Sequence, residues 1–419
     1  MLSDAETEGG AAVAASRLAQ ALIDAGQRVT RLVALPDGKE HSWETRSLTL
    51  SADGLSGKIF RRLLPESDCR ILDERRVHQR LNSMLAELSP DIINVHNLHK
   101  ATDKHWTPKV VSSCAQHAPT VWTLHDMWSF TGRCAYSYDC TKYLTGCDSA
   151  CPTPEEHPPL APARIAGAWT TRRLELRNNP SIVAVTPSNW LALEARRGLW
   201  LDHRVEVIPY GVPLDAYFPV DRDEARQAIG IATRNPVLLM VAEFLEDRRK
   251  GAEILQHALQ KLSRPVTVIT LGNGRLNLSP KDIHLHELGF VEEERLKRMA
   301  YNTADVFVHP APVDNYPNVV MEAIACGTPV VAFAIGGLPD MVRPGRTGWL
   351  CDSVSSGALA ATLEAALKHL ACGIELRDTC RAVAETEFGA SLQSQRYLDL
   401  YLSLVSEHQH EYVGERVAV

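Results

Sequence analysis

A loop and a proline-led helix in the second half of the chain carry residues suited to bind a phosphorylated or hydroxylated ligand. A strand ends near His309, a loop carries Asp314 and Asn315, and Pro317 suits the first turn of a helix. The N–H groups and positive dipole end of such a helix favour a phosphate or sugar hydroxyls. Glu322, about one turn in, can accept two hydrogen bonds from a vicinal diol such as a nucleotide's ribose. Taken alone, however, Glu322 is more often a helix-face carboxylate and Asp314 more often a cap.

Two histidines in the first half each follow a short apolar segment. His96 comes after residues 92–95, and His125 comes after residues 121–124. Side chains that follow the strands of a parallel sheet lie at the edge where such folds bind ligands. Either histidine alone is more commonly buried and hydrogen-bonded to backbone, so the position marks a candidate site and both interpretations stay open.

These residues belong to two series in which short apolar segments alternate with helical stretches. The first begins with an Ala-rich helix at 10–25, whose apolar residues recur every three and four positions. The second runs from Val237 to Phe333 and repeats the scheme. The pattern predicts an α/β protein with two doubly wound, Rossmann-like domains facing a central cleft.

The boundary between the two series is a segment rich in proline and glycine, residues 209–219. We therefore expect an N-terminal domain at 1–212, a C-terminal domain at 213–390 and a last helix at 391–419 that packs back on the N-terminal domain. No strand is recognisable before the first helix. We interpret this either as a missing first strand or, preferably, as a chain start assigned too late.

Composition and charge exclude several classes of protein. The chain has 419 residues, of which 45% are hydrophobic and 23% charged, as in ordinary globular domains. Its formal charge of −7 offers no basic excess for nucleic-acid binding. Because it begins with neither a secretory leader nor a membrane-spanning run, we expect a cytoplasmic protein. Membrane contact is then peripheral, and the candidate basic surface consists of Lys58, Arg61, Arg62 and residues 164–177.

The chain resembles glycosyltransferase family 4 over nearly all of its length. The residues that carry the resemblance are Asp314-x7-Glu322 with the following Ala-Cys-Gly-Thr-Pro, Gly336-Gly-Leu-Pro-Asp, Gly272-Asn-Gly274, Gly289-Phe-Val and Gly345-Arg-Thr-Gly348. Residues 122–152 are similar to the colanic-acid and exopolysaccharide branch of the family. The resemblance implies a GT-B fold and a retaining, metal-independent transfer. The sugar moves from a nucleotide-diphospho-sugar to a glycan or lipid-linked acceptor in cell-surface polysaccharide biosynthesis.

The resemblance also assigns roles to individual residues. His125 matches the family's histidine near the transferred sugar, Lys250 matches its phosphate-binding lysine, and Glu322 its donor carboxylate; these three are the predicted catalytic residues. The predicted donor-binding residues are Gly10, Arg249, Asp314, Asn315, Tyr316, Asn318 and Glu322. Second choices in the first half are His96, His99 and Asp126.

Two positions depart from the family pattern. Asp314 stands where the family usually has a glutamate, and one methylene less still lets it meet a sugar hydroxyl. Phe244 stands where the family carries an arginine, which leaves Arg248 or Arg249 as a substitute. Arg248, Arg249 and Lys250 form a basic triplet. Such a triplet is usually part of a solvated surface, although here its charge suits a departing diphosphate. Asp221-Arg-Asp223 nominally resembles a metal site, but its place in the linker favours a structural role.

Four of the ten cysteines fall within eighteen residues, at Cys134, Cys140, Cys147 and Cys151. Their spacing in an insertion at 128–160 suits a structural, tetrahedral Zn²⁺ on the acceptor side. Reduced thiols and one or two disulfides are the alternatives, and a reducing compartment disfavours the disulfides.

Two other functions fit the same architecture. A nucleotide-sugar epimerase of GT-B fold acts on the donor alone, and a non-catalytic sugar-nucleotide-binding protein holds it without turnover. The sequence leaves the sugar, the nucleotide base, the acceptor and the oligomeric state open.

Overall fold

The computed structural model describes residues 1–50, 66–278 and 283–417, and the side chains of all of these except 66–68 and 411–417. The chain forms two compact units. Unit 1 contains Met1–Pro187, Leu191–Ile208 and Ser394–Val419, and unit 2 contains Ser188–Trp190 and Pro209–Gln393. Each unit is a Rossmann-like α/β domain with one parallel sheet, as the alternating pattern predicts.

Unit 1 is built on a seven-stranded sheet with the order β3-β2-β1-β4-β5-β6-β7. Its strands are β1 (Leu2–Ala5), β2 (Thr30–Leu35), β3 (Glu44–Ser47), β4 (Ile93–Val95), β5 (Thr120–Thr123), β6 (Val183–Thr186) and β7 (Val205–Val207). Its helices are α1 (Gly10–Asp24), α2 (Glu66–Leu88), α3 (Lys109–Ala115), α4 (Pro162–Asn178) and most of α5 (Asn189–Arg197). Short 3-10 turns lie at His99–Lys104, Met127–Phe130 and Lys142–Leu144.

The expectation of a missing first strand is wrong. β1 lies in the middle of the sheet, where Leu2 pairs with Leu32 of β2 and with Val95 of β4. The segment is hard to recognise because it has only four residues and two of them, Ser3 and Asp4, are polar. Both polar side chains are buried and hydrogen-bonded, Ser3 by Arg31 at 2.9 Å and Asp4 by the amide of Lys100 at 2.9 Å. Their burial therefore leaves no polar group unsatisfied.

Unit 2 contains a six-stranded sheet with the order β10-β9-β8-β11-β12-β13. Its strands are β8 (Val237–Phe244), β9 (Val266–Asn273), β10 (Ile283–Glu287), β11 (Val306–His309), β12 (Val330–Phe333) and β13 (Gly348–Cys351). Its helices are α6 (Arg222–Ala228), α7 (Ala252–Leu259), α8 (Glu294–Thr303), α9 (Asn318–Ala325), α10 (Leu338–Met341), α11 (Ser356–Ala371) and α12 (Arg377–Val383). A 3-10 turn at Arg248–Lys250 precedes α7, and a π-helical turn at Ala384–Phe388 follows α12.

The last helix, α13 (Ala390–Val417), begins in unit 2, and its residues from Ser394 onward belong to unit 1. There its aromatic side chains pack on the sheet. Tyr397 shares a hydrogen bond of 3.0 Å with Thr123, and Asn94 donates to Tyr401 at 2.7 Å. Both tyrosines join the apolar core of the unit. Burial of these rings and satisfaction of their hydroxyls together hold the end of the chain on unit 1.

In the part of the chain that the structure describes, no helix is both long and apolar enough to cross a membrane.

Candidate functional site

A charged network lies at the carboxyl end of the sheet in unit 2. The ammonium of Lys250 is 3.1 Å from Oδ2 of Asp314, and Nε2 of His309 is 3.3 Å from the same oxygen. Asp314 and His309 are buried, while the side chain of Lys250 remains 31% exposed. The three groups therefore form a half-open site in which the lysine retains access to an anionic ligand.

The position of Lys250 depends on the glycine that follows it. Gly251 has φ 73° and starts α7, and a Cβ built on it would lie 1.9 Å from the carbonyl oxygen of Pro310. Only glycine allows the basic turn to come so close to the end of β11. Gly336 is similarly constrained, because its Cβ would meet the carbonyl oxygen of Asp314 at 1.9 Å. A side chain at either position would push the backbone away from Asp314 or from the end of β11. This steric limit explains why glycine occurs at both positions in the family motifs.

The charge state of Asp314 follows from its neighbours. Burial favours the neutral carboxyl, but the charge of Lys250 and the hydrogen bond with His309 overcome that penalty and hold the pKa of Asp314 well below its usual range. Asp314 is therefore a carboxylate at neutral pH. Its charge holds the lysine in place, which is a role the sequence did not assign to it.

Glu322 lies inside α9 and is anchored by a residue that the sequence analysis missed. Tyr301 of α8 donates a hydrogen bond of 2.7 Å to Oε2 of Glu322. Tyr301 is fully buried between Tyr217 and Phe307, and burial together with the carboxylate raises its pKa well above the usual value. The hydroxyl therefore stays protonated and fixes one oxygen of Glu322. No local motif signals this contact, because 21 residues separate the two positions.

The start of α9 has the properties expected of an anion- or hydroxyl-binding helix end. Pro317 is the N-cap, and no side chain caps the helix and no acidic residue occupies its first turn. The predicted residues Asn315, Tyr316 and Asn318 surround this start. Ser188, which belongs to unit 2, donates to Oδ1 of Asn315 at 2.5 Å.

The remaining basic residue of the predicted donor site, Arg249, is held by a carboxylate. Its guanidinium makes two contacts with Asp247, at 2.6 Å and 3.3 Å. Asp247 also caps the turn by accepting a hydrogen bond from the amide of Arg249 at 2.9 Å. Phe244, at the position of the family's arginine, is 57% exposed. Lys250 is thus the cation of this turn that the structure ties to Asp314.

Unit 1 brings two of the candidate histidines into direct contact. His96 follows β4 and His125 follows the neighbouring strand β5, and Nδ1 of His96 lies 3.0 Å from Nε2 of His125. Both are buried. Burial lowers the pKa of His125 to about 4 and places that of His96 well below its usual value. Both rings are therefore neutral at physiological pH.

The second pair of candidates, His99 and Asp126, behaves in the opposite way. Nε2 of His99 lies 3.0 Å from Oδ2 of Asp126. Burial disfavours the charge on each partner, yet their mutual attraction raises the pKa of His99 and lowers that of Asp126. Asp126 also accepts a hydrogen bond from the amide of Trp128 at 2.8 Å. The unit therefore places an ion pair beside the neutral pair of histidines.

The predicted donor-binding residue Gly10 lies at the start of α1. Gly10 is the first helical residue, and Gly9 before it has φ 89°. A Cβ on Gly9 would lie 3.0 Å from the ammonium of Lys100, which also contacts the backbone carbonyl of Glu8 at 3.2 Å. Lys100 is a second functional candidate that the sequence analysis missed, although it directly follows His99.

The four clustered cysteines are present as free thiols. All ten cysteines are free thiols. Among the described residues, the single group of three or more potential ligands whose donor atoms lie within 4.8 Å of one another is Glu6, Asp37 and His41. Burial raises the pKa of Cys134 to about 11, which favours its neutral thiol. Structural zinc at Cys134, Cys140, Cys147 and Cys151 stays a prediction.

Two further expectations concern residues away from these sites. Asp221 caps α6 by accepting from the amides of Asp223 and Glu224, which supports the structural interpretation of the Asp-x-Asp sequence. Of the basic surface, Lys58, Arg61 and Arg62 lie outside the described residues. Within α4, Arg172 is buried 4.0 Å from the ring centre of Trp128 and does not contribute to a basic surface.

The fold and the two sites define a protein of the GT-B type. Sucrose-phosphate synthase from Thermosynechococcus elongatus matches the structure with a TM-score of 0.70 over 97% of this chain and 96% of its own, at 21% identity. Anabaena HepE in complex with UDP and glucose matches with a TM-score of 0.67 over 96% of this chain and 98% of its own, at 18% identity. At these identities the likeness establishes the fold.

The chain belongs to glycosyltransferase family 4. Residues 8–216 match the family model described as Glycosyltransferase Family 4, and residues 235–369 match the model described as Glycosyl transferases group 1. The first match covers most of unit 1 and the second covers most of unit 2, including Lys250, Asp314 and Glu322.

Curated relatives cover part of the chain. The colanic acid biosynthesis glycosyl transferase WcaC of Escherichia coli (strain K12) is 29% identical over 255 residues, which is 58% of this chain and 60% of WcaC. The D-inositol 3-phosphate glycosyltransferase of Mycobacterium sp. (strain KMS) is 36% identical over 178 residues, 40% of each chain. The matched part is therefore less than two thirds of the length of either relative.

Proposed function

We propose that this protein is a retaining glycosyltransferase. It moves a sugar from a nucleotide-diphospho-sugar to a hydroxyl of a glycan or lipid-linked acceptor. The observation that carries the proposal is the arrangement in unit 2, where Lys250 is held by buried Asp314 and Glu322 is held by Tyr301. Lys250 and Glu322 match the donor-binding motif of the family to which the chain belongs.

Each group in unit 2 has a chemical task in this proposal. Lys250 compensates the charge that develops on the diphosphate as it leaves, which is the main electrostatic requirement of the reaction. Glu322 accepts hydrogen bonds from a vicinal diol of the donor, and the start of α9 supplies backbone N–H groups. HepE, which shares the fold, binds UDP and glucose. A UDP-sugar is accordingly the first donor to test.

The neutral histidine of unit 1 suits the sugar rather than the phosphate. His125 is uncharged at neutral pH, so it binds sugar hydroxyls without adding positive charge near the anomeric carbon, where positive charge develops in the transition state. During transfer the bond from the anomeric carbon to the phosphate oxygen breaks and a bond to the acceptor oxygen forms. The acceptor's proton passes to a phosphate oxygen on the same face. No protein nucleophile is required.

The acceptor is proposed from the relatives. WcaC is described as a glycosyl transferase of colanic acid biosynthesis, which favours an exopolysaccharide intermediate. Peripheral contact with a membrane surface is part of this proposal, because such intermediates are often lipid-linked. The exposed residues of α4, including Arg164, Arg173 and Leu174, are the described part of the candidate surface.

The proposal is tested first by thermal shift with UDP-, GDP- and ADP-sugars, since a ligand that binds only the folded state raises its stability. Release of the nucleoside diphosphate is then measured with and without glycan acceptors. We expect acceptor-dependent release and a product of retained anomeric configuration. Conversion of the donor sugar without any acceptor indicates an epimerase. Binding without turnover across all acceptors indicates a non-catalytic protein.

Metal independence is tested separately. The cation at the leaving group is Lys250, and the Asp-x-Asp sequence serves as a helix cap. We expect turnover to survive excess EDTA within about 2-fold, because a protein cation replaces the ion that other transferases use. Turnover lost to EDTA in a folded protein and restored by Mg²⁺ or Mn²⁺ contradicts this part of the proposal.

A further inference from the structure

One hydrogen bond links the two histidines of the buried pair in unit 1. Nδ1 of His96 and Nε2 of His125 lie 3.0 Å apart, which is a hydrogen-bond distance. Both rings are neutral at physiological pH, and a neutral imidazole carries its proton on one nitrogen only. Two arrangements are therefore possible, one in which His96 donates and one in which His125 donates.

The second nitrogen of His96 distinguishes the two arrangements. Nε2 of His96 is buried and has no hydrogen-bond partner among the residues that the structure describes. If His125 donates, neutral His96 must carry its own proton on Nε2, where the N–H finds no acceptor. If His96 donates from Nδ1, only a lone pair is left there. Buried N–H groups without an acceptor are rarer than acceptors that remain partly unsatisfied.

The charges around the pair favour the same arrangement. The groups that act on His96 are the guanidinium of Arg31, the N-terminal amine and His125 itself. Arg31 is in β2, which the sheet order places on the side of β4 away from β5 and His125. A positive charge on that side stabilises a lone pair more than an N–H dipole. The groups that act on His125 are Asp126 and His99, which form an ion pair with each other.

We propose that His96 is a positioning residue that donates its Nδ1 proton to Nε2 of His125 and thereby holds His125 as the tautomer protonated at Nδ1. The inference rests on the proposed function, in which His125 contacts the transferred sugar. In this tautomer the ring proton is on Nδ1 and the lone pair of Nε2 is occupied. His125 therefore does not act as a base at Nε2.

The tautomer is measured directly by nuclear magnetic resonance of protein labelled with ¹⁵N in its 16 histidines. Long-range proton–nitrogen correlations show which ring nitrogen carries the proton, and the signals of His125 are those lost in His125→Asn. We expect His125 to be protonated at Nδ1 alone at pH 7. In His96→Leu the fixed donor is gone, and we expect the signals of His125 to shift toward a mixture of tautomers. His96→Asn retains an amide donor near the position of Nδ1 and should preserve the wild-type tautomer.

Activity supplies the second readout, with UDP-glucose as the first donor probe and the best donor of the panel in its place if UDP-glucose is not turned over. We expect His96→Leu to lower kcat about 10-fold, the factor that corresponds to one hydrogen bond. His96→Asn should stay within about 3-fold of the wild type. At His125, asparagine mimics a donor at Nδ1 and glutamine mimics one at Nε2, so His125→Asn should retain more activity than His125→Gln.

The two readouts separate failure of this inference from failure of the proposed function. His125 protonated at Nε2 in the wild type, or an unchanged tautomer in His96→Leu, overturns the inference even in an active enzyme. Wild-type turnover in both His125 variants overturns the role of His125 in transfer, whatever the tautomer. Thermal melts of each variant show whether a loss of activity reflects unfolding, and rescue by His96→Asn separates the hydrogen bond from packing.

Discussion

The two units place opposite electrostatic environments at the carboxyl ends of their sheets. In unit 2, Lys250 and His309 both contact Oδ2 of Asp314, and the carboxylate of Asp314 is kept ionised. In unit 1, His96 and His125 are in contact but both are kept neutral by burial. Unit 2 thus holds a partly exposed lysine with a buried carboxylate, while unit 1 holds a neutral histidine pair beside the buried ion pair of His99 and Asp126.

Under the proposed function, the two environments suit different parts of a nucleotide-sugar donor. A diphosphate needs a fixed cation, and a buried carboxylate keeps the lysine in place before the ligand arrives. A sugar whose anomeric carbon becomes positive needs polar contacts without an added cation, and buried neutral imidazoles provide them.

Lys250→Ala removes the ammonium group that Asp314 holds at the proposed diphosphate site of unit 2. We expect kcat/KM for the donor to fall about 100- to 1,000-fold, as when one stabilising group is lost from a charged transition state. Steady-state kinetics with the best donor measures the effect. Lys261→Ala is the matched control, because this lysine lies in the same unit and its ammonium donates to the hydroxyl of Ser356 at 2.8 Å, away from Asp314. Similar kinetics in the two variants would show that Lys250 does not act on the diphosphate.

The histidine pair of unit 1 makes stability depend on pH in a defined window. Because burial keeps His96 and His125 neutral, the unfolded chain binds more protons than the folded chain below the usual pKa of 6.5. The contribution of His99 to the pH dependence has the opposite sign, because Asp126 raises its pKa. His96 and His125 together therefore act against His99. The net stabilisation is therefore present above pH 6.5 and declines as the pH falls toward about 4. For His125 alone the loss is roughly 3 kcal/mol.

Urea unfolding at pH 7 and at pH 4.5 measures this loss. Asp314 contributes in a lower window, since its depressed pKa keeps its stabilisation intact until the pH falls below its ordinary value of 3.8. His125→Asn should unfold with a shallower dependence on pH between 6.5 and 4.5 than the wild type. An equally steep dependence in the variant would mean that His125 is not held neutral in the folded protein.

Glu322→Gln tests the hydrogen-bonding side of unit 2 without removing the side chain. A glutamine retains one acceptor oxygen but loses the negative charge, so the contact with a diol weakens. We expect the KM for the donor to rise about 10-fold, the effect of losing part of a charge-assisted hydrogen-bond pair. The matched control is Glu364→Gln, an acidic residue of α11 that binds Ser263 and Arg264. An unchanged donor KM in Glu322→Gln contradicts the assignment.

Much of the fold was predictable because its signals are local. The second alternating series, from Val237 to Phe333, contains β8, β9, β11 and β12, since buried parallel strands form short apolar runs. The start of α9 was predictable to within one residue, because proline favours the first helical turn and the structure places Pro317 one position earlier, at the N-cap. The edge strand β10 (Ile283–Glu287) was missed, since three of its five residues are charged or polar and the strand is largely exposed.

The contacts within the sites were less predictable than the identity of their residues. His96 and His125 were both candidates, but their contact depends on the register of β4 and β5, in which Val95 pairs with Trp122. Similarly, the sequence marked Asp314 as a donor ligand and did not show that it holds Lys250 across 64 positions. Long-range pairs of this kind follow from strand order, which no periodicity encodes.

Tyr301→Phe gives the smallest expected effect and tests whether unit 2 depends on preorganisation as well as charge. The substitution keeps the buried ring between Tyr217 and Phe307 but removes the hydroxyl that donates to Glu322 at 2.7 Å. Glu322 then loses its anchor while keeping its charge, so we expect the donor KM to rise about 3- to 5-fold with little change in kcat.

Tyr397→Phe in unit 1 is the control for Tyr301→Phe, because it also removes a buried hydroxyl, the one that contacts Thr123 at 3.0 Å. If both variants lose stability alike and only Tyr301→Phe changes the donor KM, the hydroxyl acts through Glu322. If Tyr301→Phe lowers stability and leaves the donor KM unchanged, Glu322 is held by other contacts and the difference between the two units is one of charge alone.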